Sequence, residues 1–337
     1  MLSITKRLMC TPCALSLRAF VVAALCACMM VALPVNVSAQ AWPSKPVRLI
    51  VPFPAGGATD IIGRLVAQKM TEVWGQTVIV ENKPGAGTVV GTDLVAKAAP
   101  DGYTLGMVIT AHVINPSLRR DMPFDTVRDL SGVTQVAQAH LVLAAHPAFE
   151  ANTVAELVAL ARKNPGKYSY ATPGSGTSMH LAMELLKTRA GIDIVHIPYK
   201  GGAPASQDVI GGRVPLFTDV HYASVPNIKA GKLKVLALMS PARPAGSPEL
   251  PVIAETVPGV SSTSIIGIVV ASATPRELVQ KISADIARAL KNSDLSKRMI
   301  DMGMEPVGSK PEEYDALIRS EIDKWGPVVK ASGATAD

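Results

Sequence analysis

Residues 48–74, RLIVPFPAGGATDIIGRLVAQKMTEVW, decide the fold class of this chain. The branched apolar run at residues 49–51 predicts a short buried strand. Prolines and glycines then interrupt the chain, and from Asp60 onward apolar residues recur with helical spacing until Gly75, a residue type that commonly ends helices. A strand, a glycine loop and a helix start aim unpaired backbone N–H groups and the positive end of a helix dipole at one point, which suits an anion. The predicted apolar face of the helix comprises Ile61, Ile62, Leu65, Val66, Met70 and Val73.

The same alternation of apolar runs and helical segments continues along the chain. It predicts an α/β protein with mostly parallel sheets that helices cover on both faces. Predicted strands occupy residues 49–51, 77–80, 103–109, 141–144, 168–171, 193–197, 214–217, 234–239 and 265–271.

Glycine loops follow predicted strands in both halves, at residues 54–60, 174–177 and 200–202. Each loop alone is also compatible with an ordinary tight turn. Ligands of open α/β sheets bind outside the carboxyl ends of the strands, so two groups of loops facing each other would form a ligand cleft.

The N-terminal segment, residues 1–39, has the composition of a secretory signal peptide. It contains three basic residues and no acidic residue, and its residues 19–33 form an apolar run. Val-Ser-Ala at positions 37–39 is a small-x-small cleavage pattern, so we expect cleavage near Ala39 and export to the periplasm.

Two alternatives exist for this leader. A membrane anchor is disfavoured because the apolar run is shorter than the about 20 residues that a span needs. A lipoprotein leader is disfavoured because residues 29–37, which follow the loosely matching cysteine motif, remain mostly apolar.

Composition excludes several classes of protein and site. All four cysteines, Cys10, Cys13, Cys26 and Cys28, lie in the leader, so the rest of the chain has neither disulfides nor a cysteine metal site. The formal net charge is +6, and the three basic residues of the leader account for half of it. The remainder is too mildly basic to indicate nucleic-acid binding.

Motifs for nucleotide binding, hydrolysis and metal binding do not occur. There is no G-x-x-x-x-G-K-[ST], and the glycines of residues 85–91 depart by one residue from a dinucleotide fingerprint. Gly-Ser-Gly at residues 174–176 lacks the second spacer of G-x-S-x-G. The six histidines show no metal-ligand spacing. We therefore predict no catalytic residue, no cofactor and no metal.

Three polar residues near the loops have open interpretations. His180 lies one turn into a predicted helix, where a hydrogen bond that holds the loop is favoured over catalysis. Asp60 is most simply a first-turn acid that the helix dipole favours. Asp219, at a predicted strand end, either contacts a cationic or hydroxyl group of a ligand or holds a loop.

A series of motifs resembles the substrate-binding proteins of tripartite tricarboxylate transporters, the TctC-like Bug family, in the same order and over residues 42–332. The motifs are WPSKP at 42–46, RLIVPFPAGGATD at 48–60, VENKPGAG at 80–87, AAPDGY at 98–103, INP at 114–116, IPYKG at 197–201, IKAGKL at 228–233 and EPVG at 305–308.

The resemblance implies a type II periplasmic-binding-protein fold, in which two α/β lobes close on a ligand held between them. On this pattern we expect lobe 1 over residues 42–142 and 264–337, and lobe 2 over residues 143–263. Such proteins typically bind small carboxylates through backbone amides and ordered waters rather than through a buried arginine. The implied ligand-binding positions are Phe53, Ala55, Gly56, Gly57, Thr59, Asp60, Gly174, Ser175, Gly176, Thr177, His180 and Asp219.

The chain departs from the family pattern near the expected ligand. Residues 110–112, Thr-Ala-His, stand where small polar residues are usual, and residues 220–222, Val-His-Tyr, replace a common asparagine. We therefore count Thr110 and His112 among the candidate ligand-binding residues, with the hypothesis that His112 or His221 replaces a lost polar contact.

The resemblance implies a monomeric, non-enzymatic receptor that passes a small carboxylate to integral membrane transporter subunits. A receptor that signals to a membrane kinase of a two-component system is an alternative that the sequence does not separate. An exported hydrolase is disfavoured because no nucleophile and base occur in a known motif.

Overall fold

The computed structural model describes residues 42–244, 247–291 and 294–335, and the predicted signal peptide lies outside them. In these residues strands and helices alternate. The strands are β1 (Val47–Val51), β2 (Val78–Asn82), β3 (Thr104–Ile109), β4 (Leu130–Ala145), β5 (Ser169–Thr172), β6 (Val195–Pro198), β7 (Leu216–Val220), β8 (Lys234–Leu238), β9 (Thr263–Ala271) and β10 (Met304–Pro306). The helices are α1 (Ala58–Trp74), α2 (Val89–Ala96), α3 (Ala111–Leu118), α4 (Val154–Lys163), α5 (Ser178–Ala190), α6 (Gly202–Ile210), α7 (His221–Lys229), α8 (Arg276–Lys291), α9 (Asp294–Asp301) and α10 (Pro311–Ser332).

Hydrogen bonding arranges the strands in two sheets that share β4. The first sheet has the order β2-β1-β3-β9-β4 and the second has the order β4-β7-β5-β6, while β10 and β8 also pair with β4. The strands that alternate with helices are parallel, namely β2-β1-β3 and β7-β5-β6. Strands β4 and β9 pair antiparallel with their neighbours. The predicted parallel sheets are thus confirmed for the outer strands, and antiparallel strands lie where the sheets join.

Strand β4 is much longer than the predicted strand at residues 141–144. Its residues 130–140 pair with β9 in the first sheet, and its residues 141–145 pair with β7 in the second. The predicted lobe boundaries, between residues 142 and 143 and between residues 263 and 264, fall on β4 and at the start of β9, and they remain predictions.

Helix α1 begins at Ala58, before the predicted start at Asp60, and ends as predicted at Trp74, where Gly75 adopts φ 64°. Ile62, Val66 and Met70 are buried, as predicted. The prediction that Ile61 and Val73 also face the core is wrong, because both side chains are 42% exposed. The buried face of α1 runs through Ile62, Val66 and Met70, which are spaced four residues apart. Ile61 and Val73 lie to the sides of this face and are therefore partly in solvent.

Successive side chains of β4 pack into different layers. Leu141 and Leu143 belong to the same core cluster as Tyr170, whereas Val142 and Ala144 belong to a second cluster. This alternation follows from the two-residue period of a strand, and it shows that the second sheet is buried on both faces.

Helix α10 packs on β9 through a close aromatic contact. Tyr314 is fully buried and stands directly over Gly267, where an added Cβ would overlap the phenol ring. Glycine at this position therefore allows the last helix to approach the strand that pairs with β4.

We predict that Gly267→Ala lowers the free energy of unfolding by about 1–3 kcal/mol, because the new methyl group overpacks a buried site. Gly326→Ala is the matched control, since a Cβ there would meet only the Ser117 hydroxyl oxygen at 3.5 Å and alanine favours a helix interior. Urea unfolding followed by circular dichroism measures both variants. Equal stability of Gly267→Ala and the parent protein would contradict this packing.

Candidate functional site

The strand registers bring the carboxyl ends of both sets of parallel strands to one section of β4. At the end of β3, Ile109 pairs with Ile266, which pairs with Ala137 of β4. At the end of β7, Val220 pairs with Leu141 of β4. The loops that follow these strands and their parallel neighbours therefore open toward the junction of the two sheets, where ligands of such sheets bind.

The first loop is held by the carboxylate of Asp60, which is 2% exposed. Its Oδ2 accepts hydrogen bonds from the Gly56 N–H at 2.8 Å and from Nε of Arg64 at 2.9 Å. Its Oδ1 accepts from Nδ2 of Asn82 at 2.8 Å, and the same amide nitrogen donates to the Phe53 carbonyl. Burial alone would raise the pKa of Asp60, but the hydrogen bonds and the charge of Arg64 lower it to about 2.

The N-terminus of α1 lies open above this brace. Ala55, Gly56 and Gly57 are exposed, and Phe53 and Thr59 are half-buried. Gly57 is the N-cap residue, no side chain caps the helix, and the first helical bond runs from the Ile61 N–H to the Gly57 carbonyl. The first-turn N–H groups have no partner inside such a helix, so they are available to an anion.

The second loop, residues 173–177, is closed by more internal bonds. The Thr177 hydroxyl donates to the Gly174 carbonyl at 2.8 Å and accepts from the His180 N–H at 3.3 Å. The Gly176 N–H donates to Nδ1 of His180 at 3.1 Å. The predicted loop-holding role of His180 is thus confirmed in geometry. Ser175 is half-buried and lies between these braced positions.

A stack of three rings lies beneath the second loop. His180 and His196 stack with ring centroids 3.8 Å apart, and His196 in turn stacks with Tyr170 at 5.0 Å. Nε2 of His196 lies 2.7 Å from the Thr172 hydroxyl. Burial, followed by the nearby His180 and Lys187, lowers the pKa of His196 to about 3, so the ring is neutral at neutral pH.

Carboxylate and amine groups border this ring stack. Glu184 accepts hydrogen bonds from the Tyr170 hydroxyl at 2.6 Å and from Nζ of Lys187 at 2.8 Å. Burial lowers the pKa of His180, and the nearby Glu184 opposes that shift only in part. His196 lies on β6 and His180 lies on α5, so no spacing along the chain indicates that the two rings stack.

Asp219 lies at the end of β7, next to the third loop. Its Oδ1 accepts from the Val220 N–H at 2.7 Å, and a Cβ at Gly202 would overlap its Oδ2. The side chain is only 8% exposed. Burial raises the pKa of Asp219 to about 6, and the bond from Val220 limits the rise. The Gly201 N–H donates to the Pro173 carbonyl, so the second and third loops are joined directly.

Helix α3, which the sequence analysis did not predict, connects the two groups of loops. Nδ2 of Asn115 donates to the Gly87 carbonyl at 2.9 Å in the loop after β2. At the end of α3, the Leu118 side chain lies 2.7 Å from the position of a Cβ at Gly176. Strands β2 and β5 therefore present their loops to the same helix.

Two candidates at the start of α3, Thr110 and His112, are buried. The Thr110 hydroxyl is buried and accepts from the Ile265 N–H at 2.9 Å, so it joins β9 to the start of α3. His112 is buried in a small cavity that Thr126, Gly132 and Asp315 also line. Neither ring nitrogen of His112 has a hydrogen-bond partner, and burial lowers its pKa to about 4. The structure thus does not place His112 with the glycine loops, because the cavity that it lines is formed with residues of β4 and α10.

His221 is half-buried at the start of α7, directly after Asp219 and Val220. Its hypothesised contact with the ligand remains a prediction. Among the described residues, no three histidine, cysteine or acidic side chains are grouped as a metal site would need. None of the helices in the described ranges has the length and apolar character of a membrane span.

Comparison with known proteins gives one family. The family model "Tripartite tricarboxylate transporter family receptor" matches residues 62–334. Protein BugT of Bordetella pertussis is 33% identical over 301 residues, which cover 88% of this chain and 92% of BugT.

Solved structures agree with this result. R. palustris Rpa4515 with adipate is 33% identical, with a TM-score of 0.74 over 87% of this chain and 99% of that chain. The periplasmic binding protein BugD is 32% identical, with a TM-score of 0.71 over 87% of this chain and 99% of that chain. The predicted two-lobed periplasmic-binding-protein fold is confirmed by these likenesses.

We predict that Asp60→Asn lowers the free energy of unfolding by about 1–2 kcal/mol at pH 7, because the amide loses the ion pair with Arg64. The pKa of Asp60 is lowered in the fold, so its contribution is present above about pH 4 and is lost as the pH falls toward about 2. Urea unfolding at pH 7 and pH 3 should show a difference that shrinks with acidity. Glu72→Gln, which removes an exposed pair with Lys69, is the control and should cost less than about 0.5 kcal/mol.

We also predict that His196→Phe, which keeps a ring in the stack, reduces the acid sensitivity of the fold. The pKa of His196 is lowered to about 3, so the unfolded chain binds more protons between about pH 3 and pH 6.5, and the fold loses stability as the pH falls through that window. Between pH 7.5 and pH 5 the parent protein should lose about 2 kcal/mol more than the variant in thermal or urea unfolding. Parallel pH profiles of the two proteins would show that His196 is not the titrating group.

Proposed function

The chain belongs to the tripartite tricarboxylate transporter receptor family, and we propose that it captures a small carboxylate between its two groups of loops and delivers it to the membrane subunits of such a transporter. The observation that carries this proposal is the open N-terminus of α1, which no side chain caps and which exposed residues precede. The R. palustris relative is solved with adipate, a dicarboxylate, which supports the same ligand class here.

The hydrogen bonds inside the protein show which loop N–H groups are already used and which could bind a carboxylate. The N–H groups of Gly56 and Gly176 are donated to Asp60 and His180, so these two glycines shape the loops rather than hold the ligand. The donors for a carboxylate are then the first-turn N–H groups of α1, at Ala58 and Thr59, with Ser175 from the opposite loop.

The expected strength is adequate for a receptor. A hydrogen bond to a charged group contributes about 1.5–3 kcal/mol, and micromolar affinity corresponds to about 8 kcal/mol. A few amide donors together with the helix dipole therefore suffice, provided that the loops are fixed before the ligand arrives. We infer that the lobes close over the ligand and exclude water, which strengthens each of these bonds.

We further infer that the chain is exported, acts as a monomer and leaves its ligand chemically unchanged. Members of the family are receptors, and BugD is described as a periplasmic binding protein. The proposed lobes are residues 42–142 with 264–337, and residues 143–263.

Ligand identification tests the proposal. The mature chain, purified without a carboxylate buffer, is denatured and any released small molecule is identified by mass spectrometry. Calorimetry then follows binding of straight-chain mono- and dicarboxylates of four to eight carbons, malate and matched amines. We expect micromolar binding of carboxylates and none of amines. Failure of every carboxylate, with no trapped acid, would refute the proposed function.

The position of Asp219 leads to a prediction about which acids bind best. We predict that Asp219→Ala weakens malate, which carries a hydroxyl group, about tenfold, and weakens succinate, which lacks it, less than threefold. The carboxylate of Asp219 can accept from a hydroxyl donor but repels a second anion. Calorimetry on the same protein preparations compares the two acids. An equal loss of affinity for both acids would show that Asp219 holds the loop and does not contact the hydroxyl group of the ligand.

A further inference from the structure

Arg119 is the cation at the end of α3. Its side chain is half-buried, and its Nε is buried without a hydrogen-bond partner among the residues that the structure describes. In the described part of the chain the ion pairs involve other residues, and none includes Arg119. Removing a guanidinium from water costs free energy that a protein normally recovers by pairing the charge.

The guanidinium lies against a loop with an unusual backbone. Nη2 of Arg119 is 3.1 Å from the position of a Cβ at Gly87. Gly85, Ala86, Gly87 and Thr88 all have positive φ, at 137°, 45°, 59° and 84°. Two of these four residues are not glycine, and such strain persists where the surroundings impose it, often at ligand sites.

The same end of α3 reaches the second loop of the candidate site. Leu118 contacts Gly176, while Arg119 contacts Gly87. Asn115, one turn earlier, fixes the Gly87 carbonyl to the helix. The end of α3 thus lies between the loop that follows β2 and the loop that follows β5, and its guanidinium lies against the loop that follows β2.

We propose that Arg119 binds the second carboxylate of a dicarboxylate whose first carboxylate lies at the N-terminus of α1. The inference rests on the proposed function and adds to it a class of ligand and a residue that selects it. A guanidinium suits this role because its planar array of donors matches a carboxylate and it is always charged. The contact differs from the amide and water contacts that the family resemblance implies, so it would be a property of this chain.

The competing interpretation is that Arg119 serves only to pack against the strained loop. A structural arginine would affect mono- and dicarboxylates alike, through the shape of the cleft. An anion-binding arginine would affect only the ligand that carries the second charge. Matched pairs of acids therefore separate the two interpretations.

The experiment uses calorimetry with adipate and hexanoate, and with succinate and butyrate, on the mature protein. Arg119→Met should weaken the better-bound dicarboxylate about 10- to 100-fold and change its monocarboxylate partner less than threefold. Arg119→Lys keeps the charge and should retain most of the preference. Arg120→Met is the matched control, because Arg120 is the adjacent exposed residue, and it should change neither acid.

Three results would overturn the inference. Arg119→Met could leave dicarboxylate affinity unchanged, it could weaken both acids equally, or Arg120→Met could have the same effect as Arg119→Met. Thermal unfolding of each variant within a few degrees of the parent confirms that the fold is intact. Failure of the parent protein to bind any carboxylate would instead refute the proposed function, and that result is distinct from the other three.

Discussion

Antiparallel pairing of β4 with β9 is the interaction on which the rest of the structure depends. Because β4 continues from the first sheet into the second, it fixes both sheets to one another without a separate domain linker. The register of that pairing also decides which loops can meet, since the carboxyl ends of β3 and β7 converge on residues 137–141. Gly267 and Tyr314 add to the same constraint by placing α10 against β9. Strand register therefore determines where the candidate site lies, and the side chains of the loops then determine its chemistry.

Each main loop of the site uses one side chain to hold one of its own amides. Asp60 accepts from Gly56 in the first loop, and His180 accepts from Gly176 in the second. In both cases the acceptor lies in the first turn of the following helix, four residues after the donor. In each loop one backbone N–H is used inside the protein, and this bond fixes the orientation of the adjacent N–H groups. Less conformational entropy is then lost when a ligand binds to those groups. Asn82 adds a second bond in the first loop that links it to the adjacent strand.

Local sequence signals identified the parts of the structure that local interactions determine. The end of α1 at Trp74 follows from the glycine after it and from apolar spacing, and it agrees with the structure. The sequence pattern predicted only the last part of β4, because polar residues such as Gln135 and Gln138 interrupt the apolar residues before it. Pairing with β9 and β10 makes these earlier residues part of the strand. Helix α3 was missed because it contains Pro116 and has no side-chain cap. The positions of His196 and Arg119 depend on contacts between distant segments, which no spacing along the chain encodes.

The two sides of the candidate site differ in charge, and this difference limits which ligands can bind. A first-turn acid normally satisfies the positive end of its own helix. Here Arg64 and Asn82 hold the Asp60 carboxylate, so the α1 N-terminus keeps its attraction for an external anion. On the opposite side, burial without a cation raises the pKa of Asp219 to about 6, and the group is mostly ionised at neutral pH. On the proposed function, a carboxylate ligand would therefore be attracted at the α1 N-terminus and repelled at Asp219 unless it also offers a hydrogen-bond donor there. We therefore expect Asp219 to determine selectivity among small acids, whereas the α1 N-terminus would attract any small acid.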